Sequence, residues 1–175
     1  PRPAAEVAAE VRDFLVQRLR IALEDRGLRY DVVDAVLAAA PDHPGQAYRR
    51  AEALAHLRHE DFFGRLLTAF TRVGNLARQA GEEKVRPELL TEDAEKQLFA
   101  AYEERARMLP AYLREENYAG ALQALAALAE PVDRFFTDVL VMAPDPAVRA
   151  NRLALLKAIR DLSLNLADLS RLVAD

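Results

Sequence analysis

Through nearly the whole chain the apolar residues return every three or four positions, and no stretch sustains the every-second-residue alternation of a half-buried strand. Ala and Leu dominate and Gly is scarce, with six in 175 residues. That pattern restricts the chain to packed helices. The first helix is expected from about Pro3, where Pro is tolerated in a first turn, with Val7, Val11, Phe14, Leu15, Leu19 and Ala22 on one stripe and Gly27 as its stop. A second covers about 31–40 with Val32, Val33, Val36 and Leu37 inward, and Pro41 with Asp42-His43-Pro44-Gly45 breaks it. A third spans about 46–57. A fourth runs over about 61–79, with Phe62, Phe63, Leu66, Leu67, Phe70, Val73 and Leu76 on its core face.

The charged link 81–87 reads as the most exposed connection, so a subdomain hinge is placed near 81–90 within one helical domain over 1–175. Thr91 is the expected N-cap of a long helix to about Glu115, which Pro110 should kink or divide. The next helix is expected to run from Tyr118 past Pro131 towards Val141, bent at the proline. After the Met142-Ala143-Pro144-Asp145-Pro146 break, a last helix covers about 147–172 with Leu153, Leu156, Ile159, Leu162, Leu166 and Leu169 on one stripe. The expected fold is an all-α bundle of seven to eight helices.

A chain of 175 residues can bury roughly two-thirds of its unfolded surface without a metal or disulfide. It has no Cys, which removes a disulfide framework, a thiolate zinc site and a cysteine nucleophile. No apolar run approaches the roughly 18 residues of a membrane span, and no signal-peptide pattern opens the sequence. A cytoplasmic protein without a membrane partner is therefore expected. It begins with Pro1 rather than Met, and is expected to be a fragment of a larger chain.

The net charge of −4 argues against gripping nucleic acid by bulk electrostatics. The distribution is uneven: residues 41–80 carry six basic and four acidic side chains, whereas 81–130 carry six and eleven. All but three of the 24 basic residues are Arg, which a GC-rich coding bias explains most simply.

Catalytic patterns are thin. His56 and His59, followed by Glu60 and Asp61, could hold a metal, but the order His-Leu-Arg-His-Glu does not match HExxH, in which Glu follows the first His directly. There is no Gly-rich phosphate loop, Walker lysine or G-x-S-x-G elbow. The pairs Glu82-Glu83, Glu103-Glu104 and Glu115-Glu116 read as solvated faces. Nothing in the chain taken alone points to an enzyme.

Three clusters combine polar, basic and aromatic side chains near helix ends: Arg29-Tyr30-Asp31; Arg72 with Asn75 in an otherwise apolar helix; and Arg149, Asn151 and Arg152 opening the last helix. Taken singly, each residue is more simply a cap or an interhelical bridge. Together they supply Arg and Asn donors, a ring and carboxylate acceptors, the set that holds unpaired RNA bases. The expectation is that short turns bring them into one pocket.

The segment from Val139-Leu-Val-Met-Ala-Pro-Asp-Pro-Ala-Val-Arg-Ala-Asn-Arg-Leu-Ala-Leu-Leu156 on through Ala167-Asp-Leu-Ser170 resembles the end of the bacterial glycyl-tRNA synthetase β subunit. So do Arg29-Tyr-Asp-Val-Val-Asp-Ala-Val36 and Phe70-Thr-Arg-Val-Gly-Asn75. The resemblance, in consistent order over nearly the whole chain, is to that subunit's C-terminal anticodon-binding domain of the DALR type, an all-helical fold. The name-giving Asp-Ala-Leu-Arg is represented by Pro146-Ala-Val-Arg149, so Arg149 is the position that transfers.

The resemblance implies glycine tRNA, through its anticodon loop, as partner, with no role for DNA. It also implies a catalytic α subunit reached through the parent chain, and ATP and Mg handled by that subunit, with no cofactor in this fragment. Glycine anticodons carry two discriminating cytosines. Asp31 could accept from a cytosine N4 amino group, Arg or Asn could donate to N3 and O2, and bases could stack on Tyr30 or an Arg plane. The rival readings are a helical protein-interaction module, the related domain of arginyl-tRNA synthetase, and a metal-dependent enzyme using His56 and His59.

Overall fold

The computed structural model describes residues 3–39 and 44–173. Among these lie eight α-helices and no strand: α1 Ala4–Glu24, α2 Tyr30–Ala38, α3 Pro44–Leu57, α4 Phe63–Ala77, α5 Asp93–Arg114, α6 Tyr118–Ala126, α7 Ala129–Asp138 and α8 Pro146–Ser163. Single 3-10 turns occur at Pro87–Leu89 and Leu169–Arg171. Residues 40–43, which contain most of the expected break after α2, fall outside the described residues.

Helix α4 lies at the centre, packed on α6, α7, α8 and the turn Leu169–Arg171. Its buried face holds Phe63, Leu66, Leu67, Phe70 and Val73, as the spacing predicts. Burying each such side chain stabilises the fold by about 1.5–3 kcal/mol. Gly74 completes that face because no side chain fits there: a Cβ would stand 2.6 Å from the Ser170 Cβ. α2 closes the core with Val32, Val33 and Val36 fully buried. Gly27, with φ at +84°, turns the chain between α1 and α2.

Three local expectations are corrected and one, at Pro110, is narrowed. The cap of α5 is Glu92 rather than Thr91, in a capping box with Glu95, while the Thr91 N–H donates to Glu95 Oε2 at 2.9 Å. Pro110 does not divide α5; it lies on the exposed side, where the carbonyl it leaves without a partner can be hydrated. The helix expected across Pro131 is two helices, because that ring would clash with the Ala127 carbonyl. The chain breaks at residues 127–128, and Pro131 falls in the first turn of α7, where its missing N–H is not needed.

The last helix stops at Ser163 rather than near residue 172. Asn165 Nδ2 donates to the Asp161 and Leu162 carbonyls, and the Asp168 N–H donates to the Ala35 carbonyl at 2.8 Å. This turned segment carries Leu166, Ala167, Leu169 and Leu172 into the core against α2 and α4. The connection through residues 81–90 is bonded to α8 at Arg86. Asn151 accepts from the Arg86 N–H at 2.7 Å and donates to its carbonyl at 3.0 Å.

Candidate nucleic-acid interface

The Arg29-Tyr30-Asp31 turn and the donors opening α8, expected in one pocket, do not meet. Asp31 lies in the first turn of α2 with no exposed side-chain surface. Its Oδ1 accepts from Arg29 Nε at 3.1 Å, and its Oδ2 from Arg58 Nη1 at 3.1 Å and the Val173 N–H at 3.0 Å. Burial alone would raise this carboxyl, but the Val173 N–H with Arg58 and Arg29 outweighs it and holds the group below the usual carboxylate range. Asp31 thus serves as a tie between α2, the end of α3 and the C-terminal segment, with both oxygens engaged. Tyr30 beside it is open to solvent, 59% exposed.

At the start of α8 the donors also turn inward. Asp145 caps the helix, accepting from the Ala147 N–H at 2.7 Å and the Val148 N–H at 3.2 Å. Arg152 is buried and donates from Nε to Glu95 Oε1 at 2.6 Å and from Nη1 to the Leu140 carbonyl at 2.7 Å. Asn151 is buried and spent on Arg86. Arg149, half-buried, donates to the Ala143 carbonyl at 3.3 Å, in the loop that also carries exposed Leu140 and Met142. The chain leaves the far end of α8 to bond Ala35 of α2, while Arg149 lies in its first turn. At 1.5 Å per residue, roughly 20 Å of helix separates those two levels. Asp31, Asn151 and Arg152 can act on a ligand only through what they position.

The middle cluster is different. Arg65, Thr68, Arg72 and Asn75 recur at three and four residues along α4, and all four are exposed, on the side opposite its core face. The Arg72 guanidinium sits 4.2 Å from the centre of the Phe136 ring and donates to Asp133 at 3.4 Å, so its plane is steadied without being buried. Arg65 borders an open groove lined by Phe62, just before α4, and by Gln123, Ala126, Glu130 and Asp133 of α6 and α7. Sequence reasoning found Arg72 and Asn75 but missed Arg65, Thr68 and Phe136. The 65–68–72–75 spacing carried the signal, because it interleaves with the apolar period of the same helix.

Among the described residues, no group of three or more His, Asp or Glu comes together as a metal site around His56 and His59 or elsewhere. Among them too, no helix is long and apolar enough to cross a membrane.

Comparison with known proteins bears on what such a surface is for. A family model described as "DALR anticodon binding domain" matches residues 66–169, which include most of α4 and all of α7 and α8. The glycine–tRNA ligase beta subunit of Moorella thermoacetica is 50% identical over 173 residues, covering 98% of this chain and 25% of that protein. That of Desulforudis audaxviator is 45% identical, covering 96% and 24%. That of Aliivibrio fischeri is 43% identical, covering 96% and 25%. The chain spans about a quarter of the length of the curated relatives it matches. With more than half its residues inside the match, the chain belongs to the DALR anticodon binding domain family.

Proposed function

We propose that this chain recognises the anticodon loop of glycine tRNA as one domain of a glycyl-tRNA synthetase β subunit. The observation that supports it most directly is the exposed α4 face, where Arg65, Thr68, Arg72 and Asn75 stand in line, the last three inside the segment that the anticodon-binding family matches. Arg and Asn donors fit the N3 and O2 acceptors of unpaired cytosines, and an Arg plane held over Phe136 offers a stacking surface. Arg149, half-buried against the Ala143 carbonyl, and exposed Tyr30 are secondary contacts to backbone or ribose. Asp31, Asn151 and Arg152 hold those contacts in place. ATP and magnesium chemistry belongs to a partner α subunit, in the cytoplasm.

The negative net charge limits the electrostatic share of affinity, so the 175-residue chain alone binds weakly and most avidity comes from the rest of the synthetase. The test is titration of the chain with an anticodon stem-loop carrying the two cytosines and with one in which both are changed. Preference for the first, falling with added salt, supports the reading. Equal binding to both, or sub-micromolar binding insensitive to salt, ends it.

A further inference from the structure

Helix α1 has two apolar faces, and the domain covers only one. Leu23 is 1% exposed against α2, where Arg20 also ion-pairs with Asp34. On the other side run Ala4, Val7, Val11, Phe14, Arg18 and Ile21, at successive spacings of three and four, with Leu15 beside them. Val7 is 43% exposed, Val11 51%, Phe14 64%, Leu15 58% and Ile21 50%. At about 100° per residue this seam is centred roughly 150° around the helix from Leu23, so nothing that packs as α2 does can reach it. Single exposed apolar residues are ordinary on a protein surface, but a contiguous row marks an interface. The alternating three-four spacing is that of a coiled-coil seam, which accepts another helix.

We propose that this seam packs against a helix in the part of the parent chain that lies outside residues 1–175. Two observations select that occupant. The curated relatives match 96–98% of this chain with only 24–25% of their own length, so three quarters of such a chain is tethered nearby at high effective concentration. The border of the seam also disfavours a second copy. Glu10, Gln17 and Glu24 line the flank that meets its own equivalent in an antiparallel pair, setting like charges together. A parallel pair would instead stack Arg18 on Arg18. The partner helix therefore presents an apolar stripe edged with Lys or Arg. The proposal rests on membership of a longer chain and not on the tRNA reading, so either can fail alone.

The test compares backbone hydrogen exchange of residues 4–24 in the full-length β chain and in the 175-residue chain. Exchange at least tenfold slower in the full chain is expected, with residues 146–163 alike in both. In the full chain, Val11→Glu with Phe14→Glu should abolish that protection; both side chains are already solvent-exposed here, so the domain itself stays folded. Equal exchange in the two wild-type chains, which needs no substitution, overturns the proposal. So does a 175-residue chain that sediments as a dimer and becomes monomeric with the same two substitutions, since that assigns the seam to a second copy.

Discussion

Arg152 and Glu95 form a buried ion pair, Nε to Oε1 at 2.6 Å with side chains 7% and 0% exposed, that fastens the start of α8 to the start of α5. The Glu95 carboxylate is saturated: its other oxygen accepts the Thr91 and Glu92 N–H groups at 2.9 and 2.8 Å, closing the α5 capping box. Removing one partner of such a pair leaves a charge without compensation, which costs about 3–5 kcal/mol. Against a total stability of about 5–15 kcal/mol, Arg152→Ala should leave the domain marginal. Urea unfolding checks this, and an unchanged midpoint would show the pair to be dispensable.

Acid should weaken the fold through two carboxylates. Burial raises Glu95, but the Arg152 hydrogen bond, the Glu92 N–H, the Arg152 charge and the Thr91 N–H bring it below its ordinary value, and Asp31 is lowered in the same way by Val173, Arg58 and Arg29. A folded-state pKa below the unfolded one, about 4 for these groups, binds fewer protons in the native state. The stabilisation is thus complete above the unfolded value and is lost as pH falls through the folded value. Unfolding midpoints measured between pH 7 and pH 3 should decline below about pH 5. Asp31→Asn should be less stable at pH 7 and decline less steeply. Parallel curves for the two proteins would remove Asp31 from the account.

Gly74→Ala sets two effects against each other. Replacing Gly inside a helix by Ala gains roughly 0.5–1 kcal/mol from backbone entropy. The new Cβ would meet Ser170 Cβ at 2.6 Å, with Oγ at 3.0 Å, and overpacking of this kind costs about 1–3 kcal/mol. The clash should prevail, leaving the variant about 1 kcal/mol less stable by thermal or urea unfolding. Ser170→Gly in the same chain should recover the loss. A lone Gly74→Ala variant more stable than wild type would mean that the turn at Leu169–Arg171 moves aside freely.

Arg72→Ala separates binding from stability. The side chain is 45% exposed and its bond to Asp133 is a surface pair, worth no more than about 1 kcal/mol, so the unfolding midpoint should shift little. Affinity for the cytosine-bearing stem-loop should fall about tenfold through loss of a base contact. Arg152→Ala, by contrast, should lose binding only in proportion to the folded fraction. If Arg72→Ala binds as wild type does, the α4 face is not the contact surface.

Arg149→Ala should lower affinity for cytosine-bearing and cytosine-free loops alike and make the salt dependence shallower, because its side chain reaches solvent where a phosphate can approach. Titration at several salt concentrations reads this directly. An unchanged salt slope would confine Arg149 to its bond with the Ala143 carbonyl.

Helix identity and the core faces of α2, α4 and α8 could be read from the sequence, since a 3.6-residue period of Val, Leu and Phe dictates both the helix and the side it buries. Period alone could not tell a helix from a turned segment that happens to keep the spacing, so the stretch from Leu166 to Leu172 read as α8 continued until Asn165 and Asp168 turned it into the core. The donors at the start of α8 were legible as residue types but not as free or spent. Whether Arg152 meets Glu95 or a base depends on what stands beside it from 57 residues away in the chain. Burial in this all-helical protein is a property of neighbours, and only the packing of α5 and the α7–α8 loop around residues 151–156 decided that those polar groups face inward while Arg72 on α4 faces out.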